Sequence, residues 1–467
     1  MFREESDSLG TVRVPAEAYY GSQTQRALDH FTISRIRFAP YFIANIALIK
    51  RHAASVNSSL GLLDANKADA IIKAAGMVMA GCFDDAFTVD VYQSGSGTTT
   101  NMNVNEVIAT RANELLTGKR RTRFPVHPND HVNLCQSSND VFPTAIRITA
   151  SLLIAGRLLP GLHRLQAALE NKAQSFSHIK KIGRTHLQDA VVMTLGDEFS
   201  GYARQMHMAA ERLEAVRKRL LALPLGGTAV GTGINAHESF ASRVIDRIAT
   251  ETKIAFHEAE NHFEAQACMD TEVEAMGVLK AVAVGIMKVA NDIRWLASGP
   301  RCGLGEIRLP AIAPGSSIMP GKVNPVICEA VIQAAAQVIG KDAAVTYGGS
   351  GGFFEINLMQ PMIAHNLFTA VEMLAESALV LAGKCVDGIA ANEARCAQNV
   401  KKSLAIVTGL VPYIGYDRAA EIAKKAYEKG MSIEAVALEE KLMPAEQLKK
   451  ALYGEQSQEN PSVEARD

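Results

Sequence analysis

Residues 314–329 read Pro-Gly-Ser-Ser-Ile-Met-Pro-Gly-Lys-Val-Asn-Pro-Val-Ile-Cys-Glu, ahead of an apolar helical run from Ala330 to about Val338. Prolines fix the backbone and glycines free it at set points, so this is a shaped loop, not a core segment. Gly315-Ser316-Ser317 presents consecutive N–H groups and hydroxyls to an anion. Lys322 and Asn324, two residues apart, both reach one carboxylate when such a loop folds over it. A polar connector between helices draws on the same residue types. A lid that closes on a small acidic molecule is the reading with chemical content, and the rest of the chain has to support it.

The 467 residues are 48% hydrophobic, enough for a sizeable core. Lys+Arg 48 against Asp+Glu 49 leaves a net charge of −1, which argues against nucleic acid or an anionic membrane surface as partner. The one basic cluster, Lys119, Arg120, Arg121 and Arg123, suits a solvated loop or a small-anion contact. Seven cysteines are scattered without a CxxC, so a reducing compartment, the cytoplasm, is expected. Twelve histidines form no HExxH, so no protein-held metal is expected. The polar, acidic start Met-Phe-Arg-Glu-Glu-Ser-Asp does not read as a targeting segment. The apolar stretch Val273–Leu296 is interrupted by Lys280, Lys288, Asp292 and Arg294, so it reads as a buried helix of a soluble protein.

Along the chain, Leu9–Val14 suggests a short strand, and Pro40–Leu60, Ala65–Gly81 and Asn103–Leu116 show helical spacing. Before the last of these lies Gln93-Ser94-Gly95-Ser96-Gly97-Thr98-Thr99-Thr100-Asn101, a loop suited to an anion at a helix N-terminus. It is neither a Walker A loop nor a GxGxxG turn, so no nucleotide cofactor is expected. Gln136-Ser137-Ser138-Asn139-Asp140 opens a helical pattern reaching about Phe176, with more polar residues than a cap needs. Gly183-Arg184-Thr185-His186-Leu187-Gln188-Asp189-Ala190 leads into helical sequence to about Leu221. Helices are expected at 236–252, at 258–298 as one element about 60 Å long, and near 326–345 and 361–385. Short amphipathic helices follow at 417–429, 432–440 and 444–452, then a polar tail, Gly454–Asp467, read as disordered. The middle of the chain carries almost no strand signal. It reads as an elongated bundle whose helices are apolar over more than one face, as expected where copies pack together.

Three loops share one odd character: 136–140, 183–190 and 314–324 are polar, rich in hydroxyls and amides, and next to long helices. Loops at opposite ends of long helices meet only across copies in a bundle of bundles. Pooled with the 93–101 loop they offer the hydroxyls of Ser96, Thr98, Ser137, Ser138, Thr185, Ser316 and Ser317 and the amides of Asn101, Asn139 and Asn324. The cations are Lys322 and, as a candidate, Arg184; His186 adds an imidazole, the side chain that titrates nearest neutrality. This set binds carboxylates and moves protons.

Gly315–Pro325 resembles the signature of the aspartase/fumarase superfamily, and the resemblance runs over nearly the whole chain. Ser94-Gly95-Ser96-Gly97-Thr98 with Asn101–Glu106, Gln136–Asp140 and Gly299-Pro300-Arg301-Cys302-Gly303-Leu304 resemble the class II fumarase branch. Ile414–Asp417 with Ala420–Ala426 is similar to that branch's C-terminal domain. Val326-Ile327 and Ala190–Met193 lean toward the aspartase branch, while Cys328-Glu329 returns to the fumarase pattern. His127, Asn129 and Asp130 resemble a second, surface anion site of the fumarases, although Phe124 stands where they commonly carry an arginine of that site.

The resemblance implies a mainly α, L-aspartase/fumarase-like fold, with an N-terminal domain over 1–136, a central long-helix bundle over 137–394 and a small helical domain over 395–467. It implies a homotetramer with active sites shared between subunits, and no cofactor. It implies reversible anti addition of water to fumarate, giving L-malate. Ser316 matches the family's base, Lys322 and Asn324 the partners of the developing aci-carboxylate, His186 the acid, and Glu329 the carboxylate that holds the histidine ring. Ser96, Thr98, Ser137, Ser138, Asn139, Thr185 and Ser317 are the remaining substrate-binding candidates. The alternatives are aspartate ammonia-lyase activity and, since the superfamily includes lens crystallins, a non-catalytic structural role.

Overall fold

The computed structural model describes residues 1–454, so the expected tail beyond Gly454 lies outside the described residues. The chain opens with an antiparallel hairpin, β1 (Phe2–Asp7) and β2 (Gly10–Pro15). Only the second strand was legible, because Phe-Arg-Glu-Glu-Ser-Asp has no apolar alternation. Four helices follow: α1 (Ser22–His30), α2 (Pro40–Ser59), α3 (Ala65–Met79) and α4 (Thr98–Thr117). Proline opens α2, where its missing N–H costs nothing, and Asp64 caps α3 by accepting from the N–H groups of Asn66 and Lys67. Next, α5 (Ser138–Leu153) passes through one wider turn at Ile154–Leu158 into α6 (Leu159–Ser175), the long helix expected there.

Two expectations for the middle fail. Residues 180–194 are not a loop running into a helix. They form an antiparallel hairpin, β3 (Lys180–Thr185) and β4 (Gln188–Thr194), and the helix α7 starts only at Leu195 and ends at Arg217. The stretch 236–298 is also divided differently: α8 (Phe240–Thr252), α9 (His262–Ala267) and α10 (Asp270–Leu296). Between the last two, Cys268 is extended at φ −103° and ψ 133°. The break has local causes. Asn261 caps α9, the Gln266 side chain donates to Thr228 O at 2.9 Å, and Asp270 and Glu272 supply the acidic first turn that suits a new helix. The 27 residues of α10 span about 40 Å, not 60 Å. Then come α11 (Val326–Gly349), α12 (Gln360–Lys384), α13 (Glu393–Lys402), α14 (Val411–Ile414), α15 (Tyr416–Lys429), α16 (Ile433–Glu439) and α17 (Ala445–Tyr453). The fold is mainly α, as expected.

The chain forms two compact units, Met1–His163 with His207–Met287 and Val331–Leu379, and Arg164–Met206 with Lys288–Ala330 and Val380 onward. In the first, Arg147 of α5 and Glu272 of α10 form a buried ion pair at 2.9 Å, and Lys280 of α10 meets Asp342 of α11 at 2.6 Å. Gly161 brings α6 so close to α12 that an added Cβ would sit 3.0 Å from Ala375 O. The second unit has an apolar core of Ile182, Val400, Ile406, Leu410, Ile422, Val436 and Leu448, which explains why short amphipathic helices suffice there. Trp295, the one tryptophan of the chain, is half exposed on α10. Ser138–Ser175 and Gln360–Gly388 are long and apolar enough to cross a membrane, yet their apolar windows are 72% and 61% buried, as core helices are.

Candidate active site

In the first unit, the N-termini of α4 and α5 lie side by side. Gly97 caps α4 with φ 74°, and its Cα faces the Phe142 ring of α5 so closely that a Cβ would come within 2.2 Å. Only glycine meets both demands. Gly95 is equally constrained, since a Cβ there would meet Leu358 O at 2.0 Å. The expected 93–101 loop is shorter than read: Thr98 to Asn101 already form the first turn of α4. Ser96 Oγ and Thr98 Oγ1 share a hydrogen bond of 3.0 Å, and Asn101 Nδ2 donates to Ser138 Oγ at 3.2 Å. Ser96 pairs with Thr98, and Asn101 with Ser138, at the two adjoining helix ends.

Ser137 and Asp140 form a capping box on α5: the Ser137 hydroxyl accepts from Asn139 N, and Asp140 accepts from Ser137 N at 2.9 Å. Asp140 also accepts the N–H groups of Gly226 and Thr228, each at 3.0 Å, and so anchors the glycine-rich turn. Burial pushes its carboxyl above the ordinary range, against those hydrogen bonds and the charge of Lys50. The Asn139 amide donates to Ala229 O at 2.8 Å. Ser137 and Asn139 therefore work for the local backbone, while Ser138 meets Asn101.

The 127–130 segment spends its polar atoms on its own turn. His127 Nδ1 accepts from Asn129 N and Asp130 N at 3.3 and 3.2 Å, and lies 3.3 Å from an Asp130 carboxylate oxygen. Burial holds the His127 imidazole below its ordinary range.

In the second unit, the β3–β4 hairpin turns on His186 and Leu187, both left-handed at φ 55° and 61°. Two consecutive left-handed residues match the twist of paired strands, and they hold His186 at an exposed tip beside Thr185. Arg184, a candidate substrate cation by sequence, is taken. Its guanidinium grips Glu306 with two hydrogen bonds of 2.7 and 3.0 Å. Glu306 is fully buried, is approached by Lys181 at 3.3 Å, and accepts from Asn399 at 3.0 Å. Burial alone would raise its carboxyl, but the Arg184 hydrogen bonds and the charges of Lys181 and Arg184 outweigh this and hold it below the ordinary range. No sequence signal announced Glu306, which clamps the base of the hairpin carrying His186.

The 314–329 loop is closed by its own backbone. Gly315 N donates to Lys322 O at 2.9 Å, and the Asn324 side-chain amide donates back to Gly315 O at 2.5 Å. A Cβ on Gly315 would sit 2.2 Å from Lys322 O, so glycine is required. Inside this closure, Ser316 Oγ accepts from Met319 N at 2.9 Å and Ile318 N at 3.3 Å. Ser317 and Lys322 are exposed, and Glu329 lies in the first turn of α11. Asn324 is thus half committed to loop closure through its nitrogen. Among the described residues, neither His186 nor Glu329 makes a side-chain hydrogen bond or ion pair, so the expected pairing of the two is not formed within one chain.

Comparisons with known proteins place the whole chain. The lyase family profile matches residues 10–340, and the fumarase C C-terminus profile matches residues 406–456. The chain is 53% identical to a class II fumarate hydratase of Nitrosomonas europaea, over 96% of each chain. It is 50% identical to that of Thermosynechococcus vestitus, over 95% of each. Among solved structures, a class II fumarase from Schistosoma mansoni superposes with a TM-score of 0.93 at 40% identity, covering 97% of this chain and 98% of that one. A fumarate lyase:delta crystallin structure from Brucella melitensis, bound to cobalt, gives 0.93 at 44% identity, covering 97% and 99%. With family profiles, full-length relatives and fold in agreement, the chain belongs to the class II fumarase family of lyases.

Proposed function

We propose that the protein is a hydratase interconverting fumarate and L-malate. The observation that carries this reading is the Ser316 hydroxyl, held by two backbone N–H groups inside a loop closed by Gly315, Lys322 and Asn324. A serine hydroxyl is a weak acid. As a base it must act as an alkoxide, and an alkoxide persists only where fixed donors and a nearby cation stabilise it away from water. The two N–H groups are such donors, and Lys322 is the cation on the same loop.

In the malate-to-fumarate direction, Ser316 takes the C3 proton. The electron pair passes into the neighbouring carboxylate as an aci-carboxylate dianion, met by Lys322 and by the second N–H of the Asn324 amide, whose first is donated to Gly315 O. Expulsion of the C2 hydroxyl, protonated by His186, then forms the double bond and releases water. The hydroxyls of Ser96, Thr98, Ser138, Thr185 and Ser317 bind the substrate's carboxylates and hydroxyl, with Ser137 and Asn139 shaping the end of α5. Glu329 orients His186 in the assembled protein.

That assembly is a homotetramer with sites shared between subunits, acting in the cytoplasm. It is supported by the unpaired His186 and Glu329 of the single chain, and by the exposed Val284, Trp295, Tyr347 and Leu379 on α10, α11 and α12. The division into parts 1–136, 137–394 and 395–467 rests on the family resemblance; the apolar core of the C-terminal helices also takes in Ile182 of β3. The test follows fumarate absorbance with L-malate and then L-aspartate as substrate. Turnover of malate alone is expected. Fumarate from aspartate but not malate makes the protein an ammonia-lyase, and no turnover of either makes it a structural relative.

A further inference from the structure

Lys50 lies in the middle of α2 and is fully buried. Its Nζ donates to Asn133 Oδ1 at 2.8 Å and to Gln136 Oε1 at 3.0 Å. Asn133 Oδ1 is a junction, because Asn101 Nδ2 and Asn105 Nδ2 also reach it, at 3.3 and 3.1 Å. Asn101 Nδ2 is the same group that donates to Ser138 Oγ. A continuous chain of contacts thus runs from the buried ammonium to the first turns of α4 and α5.

Burying an ammonium is unfavourable unless negative charge meets it. Among the described residues, the acceptors of Lys50 are two neutral amide oxygens and no carboxylate. Asp140 is the charged group that acts on it from a distance, and its oxygens are engaged by the N–H groups of Ser137, Gly226 and Thr228. Burial outweighs the charge of Asp140 and pulls the ammonium down to about 7. Asn101 Oδ1 and Asn105 Oδ1 are also buried, without a partner. Two helix N-termini, each the positive end of its dipole, complete the surroundings. The ammonium is thus only partly charged near neutrality, and a dianion bound at the two helix ends would favour its protonated form. On the reading that a dicarboxylate binds here, the substrate supplies that negative charge.

We propose that Lys50 is a positioning residue for the dicarboxylate. Through Asn133 and Asn101 it orients the Ser138 hydroxyl, and its buried charge strengthens the hold of the α4 and α5 ends on one carboxylate group. It touches no reacting atom.

The test uses Lys50→Met, which removes the charge at similar length, and Gln136→Glu, which gives the ammonium a carboxylate neighbour at nearly constant volume. KM and kcat for L-malate are measured with the affinity for succinate, a saturated dianion of the same length. In both variants KM and the succinate Kd rise about tenfold or more, the size of one charge-assisted hydrogen bond, with a smaller change in kcat. Lys50→Met combined with Ser138→Ala loses less affinity than the two single effects multiplied, because both act in one network. A merely structural Lys50 would instead lower the melting temperature of Lys50→Met while leaving Gln136→Glu with wild-type succinate affinity. That result, or independent single effects in the cycle, overturns the proposal. Should Lys50→Met fail to fold, Gln136→Glu and its own cycle with Ser138→Ala decide. Wild-type malate turnover is read first: its absence defeats the functional reading, whereas Lys50 is judged on succinate affinity relative to wild type.

Discussion

Ser316 Oγ accepts from two backbone N–H groups fixed by its own loop, so stabilisation of its anion needs little reorganisation. Ser316→Ala should lower kcat by about 10³-fold or more, the scale of losing a positioned base, while gel filtration shows the native oligomer. Near-normal turnover would remove Ser316 as base. Lys322→Met should lower kcat as well as raise KM, because its charge is needed most when the dianion forms; a change in KM alone would make it a simple binding residue. At this scale the loop composition marked Ser316, Lys322 and His186 only as candidates, and the resemblance to the superfamily signature gave them their roles. Arg184 was misread because the partner that occupies it, Glu306, is 122 positions away and buried. Sequence spacing carries no information about such a pairing.

Among elements, the packing of α4 on α5 rests on Gly97. Gly97→Ala imposes left-handed strain and a clash with Phe142, for a loss of about 2 kcal/mol or more in thermal or urea unfolding, together with a higher KM. Wild-type stability in this variant would show that the helix ends move freely. Helices were legible wherever apolar spacing ran on: 40–60, 65–81 and 141–176 were placed to within a few residues. The β3–β4 hairpin was missed because its turn is His186-Leu187, not the Asn-Gly or Asp-Gly pair that marks such turns. The break before α10 was missed because nothing in Ala267-Cys268-Met269 stops a helix by composition; Cys268 is extended there, and Asp270 and Glu272 open the new helix.

For the whole molecule, the buried charges set the acid limb of stability. Glu306 is held below the carboxylate value of 4.5, so its contribution is present above that pH and is lost as pH falls through its lowered folded value. Asp140 and Glu106, raised by burial, act in the opposite sense, gaining protons more readily in the folded state and offsetting part of that loss. Glu306→Gln should therefore lower the melting temperature at pH 7 and flatten its decline below about pH 4.5; parallel curves for variant and wild type would show that the clamp is not the titrating element. The solitary indole of Trp295 has a practical consequence. Half exposed on α10, it is the only tryptophan of the chain, and excitation at the red edge of its absorption passes over the ten tyrosines. Fluorescence excited there therefore reports one position, and for the proposed homotetramer a red shift on dilution would time the parting of subunits without any label.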